Sequence, residues 1–338
     1  MPRPYDSILI LSFGGPESRD DVIPFLENVL RGKNVPQERM LEVAEHYFRF
    51  DGVSPINEQN RRLIVALEKE LAEHGPRLPI YWGNRNWHPL LTDTLRKMGQ
   101  DGVRRGLAFV TSAYSSYSSC RQYLEDIVRA QNEVGAAAPQ IDKIRPFFNH
   151  PDFIQGVAGQ AGDALVEVPA DRRDGAFILY TAHSIPTAMA SGCQYQVQLT
   201  EASRLVSERL GGYRWQLVYQ SRSGPPTQPW LEPDICDVIE KLATRKAATD
   251  IVVVPIGFVS DHVEVIFDLD TEAKQVCQKF GINMIRAKSV GTHPQFIKMI
   301  RQLIEERLED GPRKSVGALG SCRDVCAADC CPSGRPRR

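Results

Sequence analysis

The sequence has no apolar stretch long enough to cross a membrane. Its longest apolar run, Ile251–Val259, contains nine residues, among them a proline and a glycine, whereas a membrane-spanning helix needs about 20 residues. A second run, Ile8–Leu11, is too short for the apolar part of a signal peptide. We therefore expect a cytoplasmic protein without an integral membrane segment, in which cysteines bind metal more readily than they form disulfides.

Net charge is almost absent as well. The 338 residues include 41 Lys and Arg and 42 Asp and Glu, and the net charge of −1 argues against a nucleic-acid-binding protein that relies on a broad basic surface. Neither G-x-G-x-x-G nor a P-loop Gly-Lys-Ser/Thr occurs, which disfavours an NAD- or nucleotide-binding α/β enzyme. Hydrophobic residues make up 42% of the chain, so a large core can form without disulfides or a structural metal.

Short apolar runs alternate with longer stretches of helical periodicity along the chain. The runs predict eight strands, which include Lys143–Arg145 and Ile251–Gly257, and the stretches predict ten helices, which include Asp261–Phe280. A strand followed by a helix, repeated many times, predicts parallel sheets with helices on both faces. We therefore expect an α/β fold in which ligands bind beyond the carboxyl ends of the strands.

The length of the chain suits two domains, and the turn-rich segment 145–151 divides two such series of strands and helices. We expect a first domain over residues 1–149, completed by a C-terminal helix at about 291–310, and a second domain over residues 150–290. Residues 311–338 form a distinct tail, because they hold four of the eight cysteines and six Lys or Arg against two Asp. No strong internal repeat is visible.

His183 is the first candidate for chemistry. It follows the apolar run Ala176–Tyr180 and precedes Pro186, so we expect it at the tip of a strand. Histidine exchanges protons near pH 7 and is the commonest metal ligand. A hydrogen-bonded structural histidine is the alternative, because any of the seven histidines could have such a role.

A row of acidic side chains is the second candidate. Glu264, Asp268 and Glu272 are spaced four residues apart, which places them on one face of a helix. We expect that helix to begin at Asp261, after an N-cap at Ser260. Carboxylates in a row are oxygen ligands for hydrated divalent cations and can relay protons. A solvated surface face is the alternative, since that is the usual place of charges on a helix.

Aromatic and cationic residues recur through the first part of the chain. Such a mixture suits a large flat anionic ligand, because aromatic rings stack on its face and cations pair with its carboxylates. Ordinary surface scatter is the alternative. The residues concerned are Arg31, Lys33, Tyr47, Arg49, Ser54, Trp82, Arg85, Trp87, His88 and Tyr123.

The thiols of the tail form the last candidate site. Cys322, Cys326, Cys330 and Cys331 lie within ten residues, which indicates ligation of a soft metal. Their spacing matches neither the C-x2-C pairs of zinc ribbons nor a ferredoxin run. An internal partner is therefore expected, and Cys120 is the best placed. A disordered tail that carries thiols is the alternative.

Several of these loops resemble those of the ferrochelatase family, which inserts ferrous iron into porphyrins in haem synthesis. The resemblance covers roughly residues 5–310 and rests on long motifs. The motifs are Leu11-Ser12-Phe13-Gly14-Gly15-Pro16, Gly52-Val53-Ser54-Pro55-Ile56, Thr181-Ala182-His183-Ser184-Ile185-Pro186, Gln220-Ser221 with Pro229-Trp230-Leu231, and Pro255-Ile256-Gly257-Phe258-Val259-Ser260-Asp261-His262-Val263-Glu264. The tail and the loop before Cys120 look most like actinobacterial members, which are thought to convert coproporphyrin III to coproheme and of which many carry a 2Fe-2S cluster.

The resemblance implies two Rossmann-like, chelatase-type domains, each with a four-stranded parallel sheet, and a porphyrin cleft between them. It implies that His183 and Glu264 are catalytic and that the substrate Fe²⁺ is bound by His183, Glu264, Asp268 and Glu272. Substrate contacts are implied for Phe13, Arg31, Tyr47, Ser54 and Tyr123, and cluster ligands for Cys120, Cys322, Cys330 and Cys331, with Cys326 as an alternative ligand. Firmicute relatives have a tyrosine that ligates product iron at the Gly-Gly-Pro turn, whereas Phe13 here cannot ligate iron.

The expected activity is that of a lyase that inserts Fe²⁺ into coproporphyrin III and gives coproheme. Insertion into protoporphyrin IX, which gives protohaem, is the alternative within the family. A non-catalytic tetrapyrrole- or iron-binding protein is the alternative outside it. The expected partners are the porphyrin, ferrous iron and a transient partner enzyme of haem synthesis, with no nucleic acid, and the lack of a long apolar hairpin favours a monomer.

Overall fold

The computed structural model describes residues 4–33, 35–225 and 227–334, so the outer ends of the expected first domain and of the tail lie outside the described residues. Within this part of the chain, the strands form two four-stranded parallel sheets. The first sheet contains β1 (Ser7–Ser12), β2 (Ile80–Asn84), β3 (Arg105–Val110) and β4 (Gln140–Lys143). The second contains β5 (Phe177–His183), β6 (Arg214–Gln220), β7 (Asp250–Val254) and β8 (Asn283–Arg286).

Both sheets have the same strand order. The first is arranged β2-β1-β3-β4 and the second β6-β5-β7-β8. All residues of β1 and β7 are buried, as expected for strands with helices on both faces of a parallel sheet. The predicted α/β fold with two Rossmann-like units is therefore confirmed.

The helices connect and cover these strands. Those before the second sheet are α1 (Val22–Leu30), α2 (Gln37–Phe48), α3 (Ile56–His74), α4 (Leu91–Gln100), α5 (Gln122–Val134) and α6 (Pro151–Val166). The later ones are α7 (Thr187–Ala190), α8 (Tyr195–Leu210), α9 (Ile235–Thr244), α10 (Val263–Val265), α11 (Lys274–Lys279) and α12 (Pro294–Glu309). Two π-helical segments occur at Tyr117–Arg121 and Ile266–Ala273. Among the described residues, no helix combines the length and the apolar character needed to cross a bilayer.

Three predicted boundaries are wrong by a few residues. The strand expected at 143–145 lies at Gln140–Lys143, and β7 ends at Val254 rather than Gly257. The helix that carries the acidic row begins at Val263 with His262 as its N-cap, instead of beginning at Asp261 after Ser260. Tertiary contacts explain the last difference, because the Asp261 amide donates to the Gln59 side chain and its carboxylate contacts β8.

A short repeat follows the last strand of each sheet. Residues 149–154 read NHPDFI and residues 292–297 read THPQFI. In each copy the histidine caps a helix that begins with proline, and its Nδ1 accepts a hydrogen bond from the amide two residues later at 3.2 Å. The repeat is too short to stand out in the sequence and becomes clear only when the two sheets are compared.

The C-terminal helix α12 packs against α3 and α6. Its buried face, which includes Phe296, Ile300 and Leu303, belongs to a hydrophobic core that also contains residues of both sheets. The helix therefore joins the two units through apolar packing. The expected division at residue 149 stays a prediction.

Candidate active site

The candidate site lies at the carboxyl ends of the strands of the second sheet. His183 is the last residue of β5, and Gln220 is the last residue of the neighbouring β6. The segment after β7 leads to α10, which carries Glu264. Parallel strands bring their carboxyl ends to one edge of a sheet, so residues far apart in the sequence meet there.

His183 and Glu264 form a pair at this edge. Nε2 of His183 lies 3.5 Å from Oε2 of Glu264. Nδ1 lies 2.5 Å from the carbonyl oxygen of Ser184, and because a carbonyl only accepts, Nδ1 carries a hydrogen and Nε2 faces Glu264. The side chains of His183 and Glu264 remain 34% and 41% exposed. A ligand can therefore reach both side chains from solvent.

The two groups shift each other's pKa. Burial acts to lower the pKa of His183, but the hydrogen bond and charge of Glu264 outweigh it, so this pKa lies above its ordinary value. Burial acts to raise the pKa of Glu264, yet the contact with His183 and the charges of His262 and Lys33 hold it down at about 2. Glu264 is therefore ionised at neutral pH, next to an imidazole whose protonated form is favoured.

Asp268 and Glu272 continue the row on the π-helical segment Ile266–Ala273. Oδ2 of Asp268 accepts hydrogen bonds from Nε2 of Gln220, at 3.1 Å, and from Oγ of Ser221. Burial raises the pKa of Asp268 to about 7, and the charges of Glu264 and Glu272 add to this rise. Asp268 therefore changes its charge near neutral pH.

The outer end of the row reaches solvent. Burial raises the pKa of Glu272, and the charge of Asp234 adds to the rise. Glu272 also lines a surface cavity of about 370 Å³ together with Cys236 and Lys279. As the side chains stand, no three His, Cys, Asp or Glu side chains among residues 4–33, 35–225 and 227–334 surround one point as metal ligands do. His183 and the three carboxylates are thus successive positions in a row rather than one closed cage.

Aromatic residues of the first Rossmann-like unit, which contains β1 to β4, lie close to this row. The ring of Phe25 lies 6.2 Å from that of Phe13 and 5.7 Å from that of Tyr47, measured between centroids. Burial raises the pKa of Tyr47 well above its ordinary value, and the charge of Glu264 adds to this rise. Tyr47 shares a hydrophobic cluster with Val263, the residue before Glu264, and Phe13 packs against that cluster.

Arg85 connects two further aromatic rings. Its guanidinium lies 5.8 Å from the ring centre of Phe13 and 4.6 Å from that of Tyr123. Its Nε donates to Asp126 Oδ2 at 2.5 Å, and both of these charged side chains are largely buried. Phe13 and Tyr123 thus lie close to the same guanidinium.

The other two expected substrate residues differ in exposure. Ser54 is buried, and a Cβ atom added at Gly15 would lie 2.8 Å from its Oγ, so the Gly-Gly-Pro turn packs directly on it. Arg31 is exposed and donates to Asn28 Oδ1 at 2.5 Å. Ser54 therefore supports the turn, whereas Arg31 offers a charge to solvent.

Two residues near the row have contacts that the sequence does not predict. His46 stacks on Phe267 with ring centroids 3.8 Å apart, and Phe267 belongs to the π-helical segment. Ser221, which holds Asp268, has a positive φ of 61°. No sequence pattern signals either contact, because both depend on how the first unit and β6 approach the segment.

The tail brings its thiols to Cys120. Burial raises the pKa of Cys331 to about 12, and charges on Cys120, Cys330, Cys193 and Cys326 would add to this rise, which shows that these groups are close together. Sγ of Cys322 accepts a hydrogen bond from Nε2 of the buried Gln198 at 3.5 Å. The charge of Cys120 therefore acts on the tail thiols. Among the described residues, however, no three thiols converge on one point, and the cluster ligands stay a prediction.

Comparisons with known proteins point to one family. The ferrochelatase family model matches residues 5–308. A protein named ferrochelatase from Rhodopirellula baltica is 57% identical and covers 97% of this chain and 93% of its own length. A coproporphyrin III ferrochelatase from Streptomyces coelicolor is 50% identical (99% and 95% coverage), and one from Mycolicibacterium smegmatis is 46% identical (97% and 98%).

Solved structures agree on the fold. The sirohydrochlorin chelatase SirB from Bacillus subtilis subspecies spizizenii, in complex with cobalt, has a TM-score of 0.52 at 10% identity and covers 90% of this chain and 95% of its own. SirB from Bacillus subtilis with Fe³⁺ has a TM-score of 0.54 at 14% identity, with 90% and 96% coverage. At such low identity, these two structures establish a shared architecture only.

Proposed function

Because this chain belongs to the ferrochelatase family, we propose that it inserts Fe²⁺ into coproporphyrin III and gives coproheme. The observation that carries the proposal is the partly exposed His183–Glu264 pair, with Asp268 and Glu272 on the helical segment that follows Glu264. The relatives named coproporphyrin III ferrochelatases support the choice of porphyrin, since their identity extends over nearly the whole chain. We also propose that the protein is a cytoplasmic monomer and that it passes its product to another enzyme of haem synthesis.

Metal insertion needs a base, because the pyrrole N–H protons must leave as the nitrogens replace water on the iron. In its neutral form, His183 has a lone pair on Nε2, since its Nδ1 hydrogen points to Ser184. That lone pair can accept a pyrrole proton or bind iron. Glu264 is ionised and attracts the cation beside it.

The remaining carboxylates give iron a route to this pair. Glu272 lies at the solvent end beside the surface cavity, and Asp268 stands between it and Glu264. Because the pKa of Asp268 is about 7, it can be ionised while Fe²⁺ is near and can take up a proton after the ion has left. The row thus lets the ion exchange water for carboxylate oxygens in steps.

The porphyrin itself is proposed to lie against the first unit. Phe13 offers a ring to the macrocycle, and the exposed Arg31 pairs with a propionate. The surface that carries Phe13 and Arg31 is supported from behind by three buried residues, Tyr47, Ser54 and Tyr123. Binding energy from the propionates can bend the ring toward the metallated geometry and expose the nitrogen lone pairs.

The substrate is tested by a metal-insertion assay with Fe²⁺, run in parallel on coproporphyrin III and protoporphyrin IX. We expect a higher kcat/KM for coproporphyrin III. A preference for protoporphyrin IX would support the alternative within the family. Binding of both porphyrins without any metal insertion would show a carrier instead of an enzyme.

The pH dependence of kcat/KM should follow the protonation of His183 in the free protein. Only the neutral imidazole accepts a proton, so the rate rises with pH through the pKa of His183, which Glu264 holds above the ordinary value of about 6.5. Glu264→Gln removes this charge, and burial then lowers the pKa of His183. We therefore expect the rising limb of the kcat/KM profile to move to lower pH in Glu264→Gln, together with a lower maximum of kcat/KM.

The control for this pH profile is Glu208→Gln, which changes an exposed carboxylate that pairs with Arg204. Its profile should match that of the unmodified protein. A limb that stays in place or moves to higher pH in Glu264→Gln would contradict the assignment of His183 as the titrating base.

We further propose a 2Fe-2S cluster between the tail and Cys120. Four thiolates are the donor set that such a cluster needs, and the tail supplies thiols next to the buried Cys120. Cys120, Cys322, Cys330 and Cys331 would hold it, with Cys326 as an alternative ligand. When bound, the cluster would supply a redox-active iron centre, which the metal insertion itself does not require.

The cluster is tested by the visible absorption of protein purified without oxygen. We expect iron-sulfur bands that disappear in Cys330→Ser and persist in Cys236→Ser, because Cys236 lies on α9 beside Glu272. Separate serine variants of Cys322 and Cys326 identify which of them is a ligand. A colourless protein with one bound zinc would contradict the proposal.

A further inference from the structure

Arg286 joins two parts of the segment that carries the acidic row. It is the last residue of β8, and its side chain is 17% exposed. Nε donates to Oδ1 of Asp270 at 2.7 Å, and Nη1 donates to Oδ1 of Asp261 at 3.2 Å. Asp261 precedes Glu264 by three residues, and Asp270 follows Asp268 by two, so one guanidinium contacts the segment on both sides of Glu264 and Asp268.

The Asp261 end of this contact is anchored from two further sides. Oγ of Ser289 donates to Oδ1 of Asp261. The backbone amide of Asp261 donates to Oε1 of Gln59, on α3 of the first unit, at 2.8 Å. These hydrogen bonds fix the start of the segment relative to both units. Arg286 then links this fixed start to Asp270 through its second ion pair.

The segment between these points needs such support. Ile266–Ala273 is π-helical, a winding that is rare and occurs mostly as single turns at functional sites. If this winding relaxed, Asp268 and Glu272 would turn about the helix axis relative to Glu264. The planar guanidinium, with donors fixed in a fork, suits simultaneous contact with two carboxylates better than an ammonium group does.

We propose that Arg286 is a positioning residue that sets the placement of Glu264 and Asp268 for ferrous iron. This inference rests on the proposed iron insertion. It concerns the metal and not the porphyrin, because Asp261 and Asp270 flank the carboxylates of the acidic row, whereas Phe13 and Arg31, which are proposed to contact the porphyrin, lie near the first sheet.

The test compares Arg286→Gln with Arg172→Gln. Arg172 pairs with the buried Asp250 through two bonds of 2.9 Å at the opposite end of the same sheet, which makes it a matched control for losing an ion pair. We expect Arg286→Gln to raise KM for Fe²⁺ about tenfold, the lower end for residues that orient metal ligands, while KM for the porphyrin stays unchanged. The KM of Arg286→Lys for Fe²⁺ should lie between those of the unmodified protein and Arg286→Gln, because lysine keeps the charge but lacks the forked arrangement of donors.

Arg172→Gln should lower the unfolding temperature without a change in either KM. The proposal is overturned if Arg286→Gln leaves KM for Fe²⁺ unchanged, or if it raises both KM values in parallel. If Arg286→Gln does not fold, Asp270→Asn removes one end of the contact and should raise KM for Fe²⁺ in the same direction.

A second readout separates this inference from the proposed function. Calorimetric titration with Co²⁺, in the absence of porphyrin, should show weaker binding to Arg286→Gln than to the unmodified protein and to Arg172→Gln. Equal Co²⁺ affinity in all three would overturn the positioning role. A protein that binds Co²⁺ in this pattern but inserts no iron would contradict the proposed function alone.

Discussion

Replacing His183 with alanine is expected to lower kcat for iron insertion by about 10²–10⁴-fold, the range for loss of a positioned acid-base group. The imidazole is the residue of the pair that can accept a proton, because Glu264 has a pKa of about 2 and is a weak base. Its loss also removes the ring nitrogen that lies 3.5 Å from the Glu264 carboxylate. Anaerobic assays with Fe²⁺ and coproporphyrin III measure the effect directly.

The control is His74→Ala, which removes an exposed histidine at the end of α3. Its kcat should equal that of the unmodified protein. Porphyrin affinity, followed by quenching of porphyrin fluorescence, should change little in His183→Ala, because the proposed propionate contacts lie on the first unit. Normal turnover in His183→Ala would remove this residue from the mechanism.

Glu306→Gln is expected to destabilise the fold by about 3–5 kcal/mol, the usual loss when one partner of a buried ion pair is removed. Arg145 is fully buried, with 0% of its side chain exposed, and Glu306 is 8% exposed. Two bonds of 3.0 Å join their side chains, and a third bond of 2.8 Å runs from Arg145 to the carbonyl of Lys314. The variant leaves a buried positive charge that the remaining carbonyls only partly compensate.

Chemical unfolding followed by circular dichroism measures this loss. Glu42→Gln is the control, because its pair with Arg39 is exposed and should contribute about 0–1 kcal/mol. Glu306 also accepts from the amide of Lys314 at 2.9 Å, so the tail should become more sensitive to protease in the same variant. Equal stability of the two variants would contradict the importance of the buried pair.

The strands that carry the site could be predicted because their signals are local. The run before His183 is apolar and ends at a polar residue, so both the strand and the position of His183 at its tip follow from the sequence. The four-residue spacing of Glu264, Asp268 and Glu272 similarly places them on one face of a helix. Such patterns depend only on backbone periodicity, which a single chain segment determines.

Other features of the site could not be predicted, because they depend on neighbours distant in the sequence. The π-helical winding at Ile266–Ala273 has no composition signal of its own, and its contact with Arg286 joins residues 16 positions apart. The stacking of His46 on Phe267 joins the two units. The thiols of the tail show in the sequence, but their approach to Cys120 depends on a tail that Asn149 and Glu306 hold against the body.

The sequence by itself determined the alternation of strands and helices, the candidate base, the acidic row and the group of thiols, because residue type and spacing along the chain are enough to define them. Only the tertiary structure decided the charges of these groups. Burial and the approach of Glu264 set the pKa of His183, and burial with two neighbouring carboxylates brings that of Asp268 to about 7. Desolvation and Coulomb interactions depend on distances in space, and folding alone establishes those distances.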